Sequence, residues 1–323
     1  MQIPSVTIII PCYNASSYIE KCLYELNKQE YKDFEVICID DSSSDNTIEV
    51  IENFKNNASY SIRIIKNKSN MGPAASRNKG ILMAESEYIA FCDSDDWYDS
   101  GFLKLMIDAV EKNDANLAFC GYKVVDENGK QELRPLCSVD KFNKVNEAIK
   151  LDVDSLCMMV VKTNIMKDTL LPDIRNGEDM AVVPLLIVKA GGFVAVKECL
   201  YNYFRRSSSA SQRPTMKVVK ELEKSYKYIE NNLPDGNDLV LEYIGIRNLL
   251  YAGLITLFSF SYDVNTAKQI TSDFEMKHRC WNKNILIDGM PTYKKLVLKF
   301  VSMRWFWAIR LVAMIRNKLT GIG

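Results

Sequence analysis

A doubly wound, mostly parallel α/β sheet followed by a helical region is the fold class this sequence predicts, on three observations. Short β-branched runs alternate with helix-patterned segments through the first third. Three of those runs end in polar or acidic clusters, and from about Val218 onward only helical periodicity remains. The 323 residues are enough for one domain with a large appendage or for two, and the 47% hydrophobic and 25% charged composition excludes a disordered or collagen-like chain.

In chain order, VTIII (6–10), FEVICID (34–40), SIRIIKN (61–67) and EYIAFCD (87–93) have the continuous apolar character of buried parallel strands. Between the first two, Ser16 to Gln29 places Tyr18, Ile19, Cys22, Leu23 and Leu26 on one helical face, with Ser17 and Glu20 at capping-box spacing. A second crossover helix begins at Asp45, a good N-cap, and is striped by Ile48, Val50, Ile51 and Phe54. The polar run RRSSSASQRP (205–214) marks a change of pattern, so the boundary is set near 215: residues 1–215 form the α/β domain and 216–323 the helical region. That region includes VVKELEKSYKYIENNL and Leu239 to Phe260. There is no internal repeat.

Lys plus Arg and Asp plus Glu both total 41, so net charge calls for no nucleic acid. The nine cysteines are scattered, without a CxxC pair or a Cys/His cluster of metal spacing, and read as reduced thiols of a cytoplasmic protein. The opening MQIPSVTIIIPCYN has neither the charged start nor the cleavage site of a signal peptide.

In a doubly wound sheet, ligands bind beyond the carboxyl ends of the strands, where PCYN (11–14), DDSSSDNT (40–47) and DSDD (93–96) would converge. Asp93 and Asp95, followed by Asp96, offer hard oxygen ligands suited to Mg2+ or Mn2+, which would bridge a diphosphate; taken alone, the same run also reads as a solvated turn. Asp41 is the candidate for reading a nucleotide base, whereas Asp40 suits a cap or turn. In NMGPAASRNKG (70–80), Gly72 and Pro73 stand before a helix start, and Arg77 and Lys79 are available to pair with phosphate oxygens; the alternative is a surface-exposed Arg. The absence of GxGxxG after the first strand excludes a nicotinamide dehydrogenase. The absence of an acid in Pro11 to Asn14 excludes an aspartate-nucleophile phosphohydrolase.

With these segments in this order, the chain resembles the family 2 glycosyltransferases of the GT-A fold, of bacterial polysaccharide type, over about residues 4–212. VTIIIPCYN looks like the family's opening strand, VICIDDSSSDNT its base-binding segment, NMGPAASRNKG its donor loop and YIAFCDSDDWY its metal-binding segment. The resemblance implies that Pro11 and Tyr13 line the nucleotide pocket and Asp41 contacts the base. It also implies that Asp93 and Ser94 flank the diphosphate and that Asp95 is the direct metal ligand, with Asp93 beside it. IRNGEDM (174–180) is similar to the family's Gly-Glu-Asp segment, which makes Asp179 the general base and Glu178 its helper; on the residues alone, both could equally cap a helix. YNYFRRSSSAS (201–211) resembles a late segment that closes over the donor, matching best at Arg206, Ser209 and Ser211 and departing from it at Arg205 and Ser207.

The implied activity is inverting, metal-dependent transfer from a nucleotide diphosphate sugar, UDP first among the bases, to a saccharide or lipid-linked saccharide. The alternative is an inactive sugar-nucleotide-binding scaffold on the same fold. The stretch 294–319, with Trp, Phe and Leu interspersed by Lys295, Lys299, Arg304, Arg310, Arg316 and Lys318, reads as an interfacial helix in contact with the inner face of the membrane or as a helix buried in the second domain. Met158 and Met159 read as core or pocket wall, and His278 carries no assigned role.

Overall fold

The computed structural model describes residues 3–136, 141–142, 144–174, 177–206 and 214–320. The chain divides into two compact units, Met1–Ser207 and Ser208–Gly323.

The first unit is built on a mixed sheet. Its strands are β1 (Val6–Cys12), β2 (Phe34–Asp40), β3 (Ser61–Lys66), β4 (Tyr88–Phe91), β5 (Trp97–Tyr98), β6 (Leu117–Asp126), β7 (Gln131–Arg134), β8 (Lys141–Phe142), β9 (Met159–Lys162) and β10 (Phe193–Arg205). The order is β3-β2-β1-β4-β9-β6-β10-β5, with β7 on β6 and β8 on β10. The first four strands are mutually parallel where they pair, and β9 inserts antiparallel between β4 and β6. Burial of every residue of β2 and β4 explains the unbroken apolar runs that announce them.

The helices of this unit are α1 (Ile19–Asn27), α2 (Thr47–Lys55), α3 (Pro73–Met83), α4 (Phe102–Lys112), α5 (Val145–Ala148), α6 (Thr163–Lys167) and α7 (Glu178–Ala190). The Ser17–Glu20 capping box does not form. Helix α1 starts at Ile19 with no side-chain cap, and the entering turn closes on the backbone instead, Tyr18 and Ile19 both donating to the Ala15 carbonyl. Asp45 is not the N-cap expected of it, since α2 begins at Thr47 with Asn46 in the cap position and no side-chain cap bond. It bridges two segments instead, one oxygen accepting from the Thr47 N–H at 3.1 Å and the other from the Ser16 N–H at 3.1 Å. Although desolvation opposes the charge, these hydrogen bonds from Thr47 and Ser16 hold the Asp45 carboxyl down at about 2.

The second unit is helical among its described residues: α8 (Met216–Asn232), α9 (Asp238–Gly245), α10 (Leu254–Phe260), α11 (Val264–Lys277), α12 (Thr292–Ser302) and α13 (Phe306–Thr320). A π-helical stretch, Ile246–Gly253, joins α9 to α10, so 238–260 runs as one rod long and apolar enough to cross a membrane, though most of it is buried inside the protein. The stretch 294–319 is not the single helix expected. It breaks after Ser302, where Arg304 takes a left-handed backbone at φ 60° and donates to Glu275 at 2.6 Å, and the chain restarts as α13.

Candidate functional site

The carboxyl ends of β1, β2 and β4 bring together the three polar clusters singled out in the sequence. Pro11 lies opposite Ile39 in the β1–β2 ladder, and the strand runs out into Tyr13, which is exposed. Asn14 and Ser42 both hold left-handed backbones, at φ 49° and 63°. They persist because this loop pair is stitched together: the Asn14 N–H donates to the Ser43 hydroxyl at 3.0 Å and the Asn14 side-chain Oδ1 accepts from the Ser44 N–H at 2.8 Å.

Asp40 and Asp41 divide their work. Asp41 is buried and accepts three hydrogen bonds, from the Asn67 amide at 2.8 Å and from the Met71 and Gly72 N–H groups at 2.9 and 2.7 Å. It therefore fixes the 67–72 loop against the end of β2. Asp40 accepts from the Ser43 N–H at 3.3 Å, while its Oδ1 has no partner among the described residues. Lys79 turns from any phosphate role to the backbone of Lys66 and the amide of Asn67.

Past β4, Asp93, Ser94, Asp95 and Asp96 make a tight turn closed by the Asp96 N–H on the Asp93 carbonyl at 3.1 Å. Asp93, Ser94 and Asp95 are partly exposed at its tip. Asp96 points inward, only 2% exposed, and accepts from the Tyr201 hydroxyl and, at 2.7 Å, from the Phe204 N–H. Burial, then the charges of Asp93 and Asp95, push its carboxyl well above the ordinary range. Asp96 thus latches the turn to β10 and is not presented as a ligand. Asp95 pairs with Arg206, which also lies over the Tyr18 ring at 4.7 Å. Burial and the neighbouring Asp93 charge raise the Asp95 carboxyl.

Arg77 is the hub. It is not a surface residue: 5% exposed on α3, it donates to Asp93 at 2.6 Å and to Glu178 at 2.9 Å, joining the acidic turn to the start of α7. Gly177, at φ 124°, lets the chain enter α7 so that Glu178 and Asp179 occupy its first turn. Asp179 accepts from the Leu156 N–H at 3.1 Å through Oδ2, while its enclosed Oδ1 has no partner among the described residues. Desolvation raises the Asp179 carboxyl to about 7 against the pull of Arg77, with the Glu178 charge adding to the rise. A carboxyl poised there can take a proton near neutral pH.

Arg77 therefore joins Asp93 to Glu178 by direct contact, and Asp95, two residues further along the same turn, pairs with Arg206. Asp179 follows Glu178 in the chain, and Ser94 lies between the two turn aspartates. Pro11, Tyr13 and Asp41 lie at the neighbouring strand ends. Ser209 and Ser211 lie outside the described residues. Sequence reading missed Tyr201 as the partner of Asp96 and Leu156 as the partner of Asp179; 105 and 23 residues separate the pairs, and no local pattern signals either. Met158 lines a cavity of about 390 Å3, with Tyr122, Arg134, Asp152 and Asp154 around it.

No cluster of three or more metal-binding side chains exists among the described residues, so no all-protein metal cage is present there. Asp93 and Asp95 nonetheless suit an open site. Each keeps one carboxylate oxygen outside its arginine pair, and across the site the carboxylates of Asp93, Asp95, Glu178 and Asp179 outnumber the guanidinium groups of Arg77 and Arg206. That surplus of acid fits a divalent cation, and Mg2+ or Mn2+ is commonly held by one or two carboxylates plus substrate phosphates.

Residues 7–168 match the family model for glycosyl transferase family 2. TuaG of Bacillus subtilis strain 168, a glycosyltransferase named for teichuronic acid biosynthesis, is 29% identical over 234 residues, 70% of this chain and 89% of that protein. Staphylococcus aureus TarS 1–349, solved with UDP, superposes with a TM-score of 0.65 at 20% identity, covering 98% of this chain and 92% of that one; a second TarS structure holds UDP-GlcNAc. The mannosyltransferase PcManGT of Pyrobaculum calidifontis, solved with GDP-Man and Mn2+, gives 0.59 at 13% identity over 98% and 89%. These likenesses establish the GT-A fold.

Proposed function

The chain belongs to glycosyl transferase family 2, and on that premise we propose that it moves a sugar from a nucleotide diphosphate donor, UDP-linked first, to a hydroxyl of a saccharide or lipid-linked saccharide in cell-surface polysaccharide synthesis. The observation that carries the reading is the Arg77 junction, which ties the acidic turn after β4 to the Glu178–Asp179 pair in one contact network. The UDP and UDP-GlcNAc complexes of TarS favour UDP, and the GDP-Man complex of PcManGT keeps GDP open. TuaG's name supports a polysaccharide product. The two domains are residues 1–215, catalytic, and 216–323, helical, acting at the inner face of the cell membrane.

In the proposed reaction Asp179 accepts the acceptor hydroxyl proton as the oxygen attacks the anomeric carbon. The bond to the diphosphate breaks from the opposite side, giving inversion. Burial has raised Asp179 toward neutrality, and the Leu156 N–H holds its Oδ2, leaving Oδ1 for the proton. Glu178 and Arg77 position it. A divalent ion at Asp95 and Asp93 would supply positive charge for the departing diphosphate. Arg206 lies beside Asp95, where it can exchange that carboxylate for a phosphate oxygen, and Ser94 would border the same group. Pro11, Tyr13 and Asp41 would line the base, with Asp41 also bracing the loop over it. The cavity beside Met158 opens off the segment that carries Leu156, and is the proposed acceptor entry.

A thermal-shift panel of UDP, GDP, CDP and dTDP with Mn2+, Mg2+ or chelator tests the donor site. Ligand at about 100 times its dissociation constant adds about 2.7 kcal/mol, enough to raise the midpoint by several degrees. The expected result is a metal-dependent shift with UDP. A flat panel would favour a scaffold that has kept the fold and lost the donor.

A further inference from the structure

Helix α13 is apolar on two faces, and only one is covered. Phe306, Ile309 and Ala313 are buried, Phe306 lying against Phe258 of α10 with ring centroids 6.1 Å apart. Trp307, Leu311, Met314 and Ile315 recur at helical spacing on the other side and are 62%, 53%, 46% and 52% exposed. A contiguous apolar stripe of this kind on an outer helix marks an interaction surface. Charge identifies the occupant. From Pro291 to Gly323 the chain carries seven Lys or Arg and no Asp or Glu, although the whole molecule balances at 41 of each.

We infer that the outward face of α13 docks on an anionic lipid bilayer, Trp307, Leu311, Met314 and Ile315 entering the headgroup boundary while the surrounding cations, among them Lys299 and Lys318, meet lipid phosphates. This deepens the membrane-side placement proposed above and rests on that reading only for the choice of the inner leaflet. A second copy of the chain is disfavoured as occupant because α13 carries Arg310, Arg316 and Lys318 and no acid, so a symmetric contact would set like charges against one another. At 15 residues, α13 is about 22 Å long and too short to span the hydrocarbon core, so it lies in the interface.

The test is flotation of the full chain with vesicles of phosphatidylcholine alone or mixed with phosphatidylglycerol, at low and high salt. It compares wild type with Trp307→Glu/Leu311→Glu and with Lys299→Glu/Lys318→Glu. The chain should float with the anionic vesicles, salt should weaken it, and either double variant should lose at least about tenfold in affinity. Both variants change exposed side chains and should keep the wild-type melting point and nucleotide response. Lipid binding without any nucleotide response would count against the donor reading and leave this surface standing. The surface is overturned if wild type ignores anionic vesicles, if the variants bind as wild type does, or if sedimentation reveals a dimer that Trp307→Glu/Leu311→Glu dissociates.

Discussion

Asp179 sets two opposite dependences on pH. Its carboxyl, near 4 in an unfolded chain, stands at about 7 in the fold, so the folded state holds the proton more tightly and stability falls as pH rises from about 4 to about 7. Replacement by Asn removes that cost: relative to wild type, Asp179→Asn should gain melting temperature at about pH 8 and none at about pH 4, as calorimetry would read. Turnover, which in the proposed reaction needs the ionised carboxylate, should instead climb through about pH 7. Arg77 has a different vulnerability. Arg77→Met strands Glu178, 8% exposed, beside Asp93 and should cost about 3–5 kcal/mol in denaturant unfolding, partly recovered by adding Glu178→Gln. The sequence placed both residues in motifs; their shared contact depends on α3 and α7 meeting from 101 residues apart, which no spacing rule reveals.

At the scale of elements, the early βα units were legible because local pattern and burial agree. The strands expected at 6–10, 34–40, 61–67 and 87–93 appear as β1 to β4, the last shortened because Cys92 to Asp96 leave the ladder for the acidic turn. The capping box at Ser17 was misleading, since Asp45 from a later loop already holds the Ser16 N–H and the turn forms on backbone alone. Strand β10 was hidden: no strand was expected over 193–205, and YNYFRRSSSAS drew notice only as a segment resembling one that closes over a donor, yet its start is strand that supplies Tyr201 and Phe204 to Asp96. Helix α3 approaches β1 so closely that a Cβ on Gly80 would lie 2.6 Å from Cγ2 of the fully buried Ile9. Gly80→Ala should therefore cost about 1–3 kcal/mol despite the helix propensity it gains, and equilibrium unfolding measures it.

For the whole molecule, composition and patterning separate an α/β unit from a helical one, and the eight described cysteines are all free thiols. Less was visible in the helical unit. His278, which has no partner at ligand spacing in the sequence, lies 2.8 Å from the Tyr226 hydroxyl of α8, a contact made by tertiary packing, and tilts against Phe274 four residues before it at the end of α11. The break at Arg304 likewise follows from the packing of α12 and α13 more than from any helix-stopping residue, because neither Gly nor Pro stands between Ser302 and Phe306. The proposed transfer turns on one carboxylate at the start of α7. The most direct test is the rate of sugar transfer by Asp179→Asn, measured beside its nucleotide binding in the presence of Mn2+. Asp179→Asn should retain donor affinity with turnover reduced about 10²- to 10⁴-fold; a variant that transfers sugar at the wild-type rate would contradict the proposed role of this carboxylate.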